Sequence, residues 1–326
     1  MKTIPVYEPI LNQGNEKKYL KQCIDSGWVS SDGYFVRKFE EEFAKWSGNK
    51  YAVAVCNGTA ALETAIWASG IDEDISIPTG TIISCAIAAI RNKLRIKLYE
   101  GHHLANNIMR CHLFGQWQEA TGFNVIDDCS QYWKPFKVQG AACYSLYANK
   151  LISSGEGGII VTNEEGIYKE AISYRNLCHS EERFVHNELG YNFRMSNLQG
   201  AVALAQLEQI DKFIAIKQKN RDLYLKYLPN NIQQSFNVEV PWMYLIKTKI
   251  PAKEMVDKLK ERFIDCRRFF CPLHMQPCLV AETNQSFPYA EDMWKYAFYL
   301  PSGLTLTEKE VRYVCKSLEL MLNSMI

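Results

Sequence analysis

Seven short apolar runs set the limits on what this chain can fold into: residues 51–56, 75–77, 94–98, 108–113, 124–126, 141–147 and 158–161. Each soon meets glycine, proline or polar residues, and each is too short for a helix of its own, so each reads as a strand. Helical stretches lie beside or between several of them. Apolar residues at 35, 36, 39, 43 and 46 keep a helical period that Gly48 closes. Segments 60–68 and 81–90 read as apolar helices. Strands alternating with helices imply an α/β fold, a mostly parallel central sheet covered on both faces.

The second half reads differently. Residues 197–216 are expected to form one long helix, with Leu198, Val202, Ala205, Leu207 and Ile210 on its buried face. From about Pro229, an alternating run at 242–246 mixes with amphipathic helices at 252–263 and 307–322. The expected division is a large domain over 1–228, opened by an arm at 1–35, and a small C-terminal α/β domain over 229–326.

Charge excludes some functions. Lys and Arg number 37 against 36 Asp and Glu, so no overall field attracts nucleic acid or an anionic membrane. There is no apolar run of membrane-spanning length, and the opening residues lack a secretory apolar core. The expectation is a soluble, cytoplasmic protein. Eleven cysteines without scaffold spacing then read as reduced thiols. Cys266, Cys271, His274 and Cys278 have zinc-like spacing, but Arg267 and Arg268 oppose a cation there. A looser set is His102, His103, Cys111 and His112, and no metal is expected at either.

Three local features carry chemistry. Asn57-Gly58-Thr59 joins a strand to a helix, an ordinary tight turn or a site where free amides hold an anion. Asp128 follows the apolar Val125-Ile126, at the carboxyl end of a strand where α/β sheets bind ligands, or as a helix cap. Lys150 precedes Ser153-Ser154-Gly155-Glu156-Gly157-Gly158 and is a solvated lysine or an amine nucleophile. A phosphate cradle, a carboxylate and a lysine at one sheet edge are together what pyridoxal phosphate needs.

In order along the chain stand Gly27-Trp28-Val29-Ser30-Ser31, Asn57-Gly58-Thr59-Ala60-Ala61-Leu62, Asp127-Asp128-Cys129-Ser130-Gln131, Ser145-Leu146-Tyr147-Ala148-Asn149-Lys150, Gly155-Glu156-Gly157-Gly158, Gly190-Tyr191-Asn192-Phe193-Arg194 and Arg268-Phe269-Phe270-Cys271-Pro272-Leu273-His274. This series resembles the DegT/DnrJ/EryC1/StrS family of sugar aminotransferases, over most of the chain. The resemblance implies the pyridoxal-phosphate fold type I, the aspartate-aminotransferase-like architecture. By resemblance, Lys150 is the Schiff-base lysine and Asp128 the partner of the pyridine nitrogen. Gln131 stands beside the ring hydroxyl, and Thr59, the Ala60 amide and Ser145 hold the phosphate. Asn192 reaches the phosphate from the neighbouring subunit, which implies a homodimer with shared active sites. Trp28, His186 and Arg268 are candidates around the sugar or its nucleotide.

The implied reaction takes an amino group from L-glutamate to a nucleotide-linked 4-keto-6-deoxyhexose, at C4 as in perosamine and viosamine synthases. The alternatives are a 3-aminotransferase, a dehydratase, which Lys150 opposes, and a catalytically silent regulatory protein. Two departures stand out. Ile82 occupies the position where the family commonly has an aromatic residue over the cofactor ring. Only 35 residues separate Arg91 from Asp127, where the family has further helical segments, and barely ten follow Gly115, so a peripheral helix and loop are expected to be missing while the strands at 94–98 and 108–113 remain.

Overall fold

A computed structural model of the chain describes residues 2–325 apart from 183, 231, 235 and 280–284. The arm carries α1 (Glu16–Ser26) and leads to α2 (Tyr34–Ser47). The apolar stripe of α2 buries Phe35, Phe39 and Phe43, and Gly48 ends it at φ 74°, a left-handed cap that suits a residue without Cβ. Then follow β1 (Tyr51–Val55), α3 (Gly58–Ala68), β2 (Asp74–Pro78), α4 (Ile83–Arg91), β3 (Arg95–Tyr99), β4 (Asn107–Cys111), β5 (Asn124–Asp128), β6 (Ala141–Ser145) and β7 (Gly158–Thr162). Their sheet runs in the order β1-β7-β6-β5-β4-β2-β3. The pairs from β3 through β2, β4 and β5 to β6 are parallel, while β7 is antiparallel to both β6 and β1. Four parallel pairs make this the mostly parallel α/β sheet that the alternating pattern implies.

After α5 (Glu165–Arg175), the helix expected over 197–216 is two helices, α6 (Asn197–Leu207) and α7 (Ile210–Tyr227). The arm is docked at the break. Glu208 accepts hydrogen bonds from Asn15 Nδ2 and the Tyr19 hydroxyl, both at 2.7 Å, and Gln209 Nε2 donates to Glu16 Oε1 at 2.9 Å. Apolar periodicity runs through the break, so it gave no sign of it.

A second sheet is wholly antiparallel. It is built from β8 (Gln233–Gln234), β9 (Tyr244–Lys247), β10 (Arg267–Arg268) and β11 (Ala297–Leu300), in the order β10-β11-β9-β8. Around it are α8 (Ala252–Glu261), α9 (Pro288–Tyr296) and α10 (Glu308–Met325). The sequence pattern did not disclose α9 or β11. Helix α7 reaches this region, where Tyr224 stacks on Tyr244 with centroids 4.6 Å apart. No helix among the described residues is long and apolar enough to cross a membrane.

As the short stretch between Arg91 and Asp127 implies, no full helix follows Gly115 before β5 among the described residues. Between β4 and β5 there is only a 3-10 turn, Leu113–Gly115, and irregular chain. Side chains cover the sheet there instead. Arg110 clamps the buried Asp127 with two bonds of 2.6 and 2.7 Å. His112 Nδ1 accepts the Gln118 amide, so its proton sits on Nε2 and is donated to Asp127 Oδ1 at 3.0 Å. Trp117 stacks on the His112 ring at 4.2 Å. Burial pushes the Asp127 carboxyl up, but the hydrogen bonds from His112 and Arg110 outweigh it and hold the group below its ordinary range.

Candidate active site

Consecutive strand residues face opposite sides of a sheet, so Asp127 and Asp128 serve different surroundings. Asp128 closes β5 on the side of α4. Its Oδ1 accepts the Ser130 amide at 2.9 Å and its Oδ2 accepts the Cys85 thiol at 3.3 Å. Lys150 lies five residues beyond β6, in a turn where its amide bonds the Tyr147 carbonyl at 2.9 Å. The arm reaches it too, since the Tyr7 hydroxyl donates to the Lys150 carbonyl at 2.5 Å. Lys150 is buried, and its Nζ stands 4.9 Å from the centroid of the Trp242 ring. Burial lowers the Lys150 ammonium to about 8, against the opposing attraction of Asp128 and Cys85. A value near 8 leaves a minority of the amine neutral at pH 7 and about half neutral at pH 8, the condition for a lysine nucleophile.

The amino end of α3 completes the arrangement. Asn57 caps the helix by accepting the Ala60 amide at 2.8 Å. This differs from the expectation that the Ala60 amide is free for an anion. The amides left open, among the described residues, are those of Gly58 and Thr59. The Thr59 hydroxyl donates to Ser84 Oγ at 3.1 Å. A Cβ at Gly58 would stand 2.8 Å from Ser145 Cβ, so only glycine lets the end of β6 approach this helix terminus so closely.

Thr59, Ala60, Ile82, Asp128, Ser145 and Lys150 line one cleft of about 440 Å³. Gln131 is buried beside it in sequence; its Oε1 accepts the Phe114 amide at 2.8 Å, while its Nε2 is buried with no partner among the described residues. Open helix-end amides with hydroxyls, a buried carboxylate and a buried lysine in one cleft fit a phosphate-bearing pyridine aldehyde. These residues suit pyridoxal phosphate.

The remaining candidates stand apart from the cleft lining of this chain. Asn192 is exposed, in an isolated bridge to Asn176. Trp28 is 52% exposed and offers its carbonyl to Asn197 Nδ2 at 2.7 Å. His186 donates Nδ1–H to the Leu177 carbonyl at 2.8 Å and packs on His179. Arg268 is committed elsewhere, its guanidinium 3.6 Å from the Trp294 ring centroid and bonded to the Trp294 carbonyl. The zinc-like set is dispersed as well: Cys266 lies in the core of the second sheet, Cys278 is exposed, and His274 Nδ1 pairs with the Thr79 hydroxyl at 2.6 Å. Sequence reasoning missed Ser84 and Trp242. A hydroxyl in the first turn of α4 was a faint sign of the former; the latter had none.

Comparison with known proteins gives the family and the fold. Residues 11–99 and 106–319 match the DegT/DnrJ/EryC1/StrS aminotransferase family, with a gap at 100–105. The GDP-perosamine synthase of Escherichia coli O157:H7 is 33% identical over 361 aligned positions, covering 98% of both chains. The GDP-perosamine synthase of Vibrio cholerae is 31% identical, covering 97% of this chain and 98% of its own. Among solved structures, the Helicobacter pylori aminotransferase PseC, involved in the biosynthesis of pseudoaminic acid, superposes with a TM-score of 0.87 at 18% identity, over 99% of this chain and 100% of its own. With matching sequence along most of its length and the corresponding fold, the chain belongs to the DegT/DnrJ/EryC1/StrS aminotransferase family, a family of pyridoxal-phosphate-dependent sugar aminotransferases.

Proposed function

We propose that this protein transfers the amino group of L-glutamate to C4 of a nucleotide-linked 4-keto-6-deoxyhexose, giving a 4-amino-4,6-dideoxy sugar. The observation that carries the chemistry is Lys150, buried with a lowered pKa in the same cleft as Asp128 and the open end of α3. The relatives named GDP-perosamine synthase support C4 and make a GDP-linked sugar the first substrate to test.

Pyridoxal phosphate, when bound, supplies an aldehyde that condenses with amines and a ring that takes up electrons as a carbon-bound proton leaves. The chain's own residues do the rest. Lys150 Nζ would be the amine that holds the aldehyde and, as a free amine, the group that takes and returns the carbon-bound proton. Asp128 would face the pyridine nitrogen and favour its protonated form. Gln131 Nε2 is a donor available to a ring hydroxyl. Thr59, Ser145 and the open amides of Gly58 and Thr59 would receive the phosphate, and Ile82 would cover the ring. Asn192, exposed and next to the cleft-lining Phe193 but not itself in the lining, is assigned to the cleft of a second copy in a homodimer. Trp28 and His186 are assigned to the sugar-nucleotide surface that the second copy completes. Arg268, held by Trp294, has the weakest support of these.

The test is amino transfer itself. Purified protein loaded with pyridoxal phosphate should convert glutamate to 2-oxoglutarate and then aminate a GDP-linked 4-keto-6-deoxyhexose, with the position of the new C–N bond read by NMR. Borohydride should fix the cofactor to Lys150. Amination at C3, or no 2-oxoglutarate from glutamate, overturns the reading.

A further inference from the structure

Behind the cleft, three potential metal ligands converge. The parallel register sets Cys111 of β4 beside Asp128 of β5, and both face the first turn of α4, which presents Cys85. Cys85 Sγ lies 3.6 Å from Cys111 Sγ and 3.3 Å from Asp128 Oδ2, and all three ligand atoms are within 4.8 Å of one another. A tetrahedral zinc ion, at about 2.3 Å from sulfur and about 2.0 Å from oxygen, spaces two sulfurs by about 3.8 Å and a sulfur–oxygen pair by about 3.5 Å. The two spacings found here differ from those by a few tenths of an ångström. All three residues are buried.

We propose that the cofactor-free protein binds one thiophilic divalent cation of the zinc class at Cys85, Cys111 and Asp128, and that cation and cofactor exclude one another. The exclusion rests on the reading that Asp128 serves the cofactor ring; the cation site itself does not. Binding releases the two thiol protons to solvent, and the metal replaces the Cys85 proton now shared with Asp128. Two thiolates and a carboxylate around a dication leave one negative charge, and the Lys150 side chain is near enough for both Asp128 and Cys85 to act on it. The Thr81 hydroxyl, 3.8 Å from Cys85 Sγ, is placed to donate to that thiolate. Three protein ligands leave the fourth position for water. The site has two approaches: Asp128 lines the 440 Å³ cleft, and Cys111 lines a second cavity of about 470 Å³ toward the second sheet.

Cd²⁺ is the probe, because cadmium thiolates absorb in the near ultraviolet. The reduced, cofactor-stripped full chain should develop this band with one equivalent of Cd²⁺. Cys85→Ser and Cys111→Ser should each weaken Cd²⁺ binding at least about tenfold, while Cys278→Ser, at an exposed position, leaves it unchanged. Cys111→Val, close in shape to the parent residue, serves if the serine variant unfolds. Protein loaded with pyridoxal phosphate should lose the one-equivalent band. Retention of the full band in the Cys85 and Cys111 variants, or equal cadmium uptake by loaded and stripped protein, overturns the proposal. Loading is read beforehand from the cofactor's own absorbance. A chain that never loads therefore overturns the functional reading, and the cysteine variants still decide the cation site.

Discussion

Trp242 forms the floor under Lys150. The lysine Nζ is 4.9 Å from the indole centroid, and the indole N–H donates to the carbonyl of Asn149 at 2.8 Å, fixing the turn that carries the lysine. Trp242 is itself held from behind, where Lys217 Nζ donates to its carbonyl at 2.5 Å. One side chain beside the second sheet therefore sets both the position and the dryness of an amine presented by the first.

Truncating that floor admits water. The ring face favours the ammonium form, but burial is the larger influence on Lys150 and favours the neutral amine. Trp242→Ala should therefore raise the Lys150 pKa from about 8 by a unit or more, toward its ordinary value. Trp242→Phe, which keeps an aromatic face, should move it less. The measurement is the pH dependence of Lys150 acylation in cofactor-free protein, followed by peptide mass spectrometry. An unchanged midpoint in the alanine variant would show that Trp242 does not keep the amine dry.

Removing the chemistry at its source gives a larger effect. Lys150→Ala should lower amino transfer at least about 10³-fold and abolish covalent capture of the cofactor after borohydride. Asp128→Asn should still allow that capture yet slow transfer at least about 10²-fold, because a neutral amide cannot hold a ring nitrogen protonated. The two variants together separate attachment from electron uptake. Equal capture by parent and Lys150→Ala would remove Lys150 from its assigned role.

The site was legible in the sequence to the extent that its parts are local. Asp128 is marked by the apolar residues before it, and Asn57-Gly58-Thr59 by the passage from strand to helix. Lys150 needed the family's motif order, since a lysine in a turn is unremarkable alone. Trp242 could not be read at all: it meets Lys150 only through packing between the two sheets. Nor could the pairing of Cys85 with Cys111, which depends on strand register. The zinc-like spacing of Cys266, Cys271, His274 and Cys278, where no metal is expected, involves Cys266 buried in a core and Cys278 exposed. In the fold, parallel strands were clear from their apolar runs, whereas α9 and β11 were not recognised. The chain between β4 and β5 is covered by side chains in place of a helix, a substitution invisible to periodicity.

That covering makes Asp127 a structural carboxylate. Asp127→Ala leaves the largely buried Arg110 guanidinium without its partner and His112 without its acceptor, and should cost about 3–5 kcal/mol. The parent's advantage should also depend on pH. With the folded pKa held below the ordinary value, the stabilisation is complete above the usual carboxylate range and fades as pH falls through the folded value. Denaturant titrations should show the gap between parent and variant wide at pH 7 and narrower near pH 3. A gap independent of pH would assign the loss to packing alone.

Lys217 offers the opposite sign. Its buried Nζ donates to the carbonyls of Trp242 and Ser302, and burial lowers its ammonium to about 7. A neutral amine still has the two protons these carbonyls need. Lys217→Met leaves both acceptors unpaired and should cost about 2–4 kcal/mol. Because the unfolded chain binds the proton more tightly, the parent should gain stability on Lys217→Met as pH rises from about 7 toward the ordinary lysine value. Denaturation at pH 7 and pH 9.5 measures this, and a parent that loses ground at the higher pH contradicts it.

Ile82 sets how firmly the ring is held. It caps α4, is half-buried, and lines the cleft with Asp128 and Lys150, so a flat side chain there has open space to enter. An aliphatic face packs on a ring without the quadrupole attraction that aromatic pairs add, worth about 0.5–1.5 kcal/mol. Ile82→Phe should therefore slow the loss of pyridoxal phosphate on dilution by about 2–10-fold. Stacking of this kind acts on every bound form of the cofactor alike, so it lowers the energy of ground and transition states together. The turnover number of fully loaded protein should accordingly change by less than about twofold. Faster cofactor loss from Ile82→Phe would mean that the cleft is shaped for the aliphatic residue. A large change in turnover without a change in retention would mean that this face contacts the reacting atoms instead of the ring.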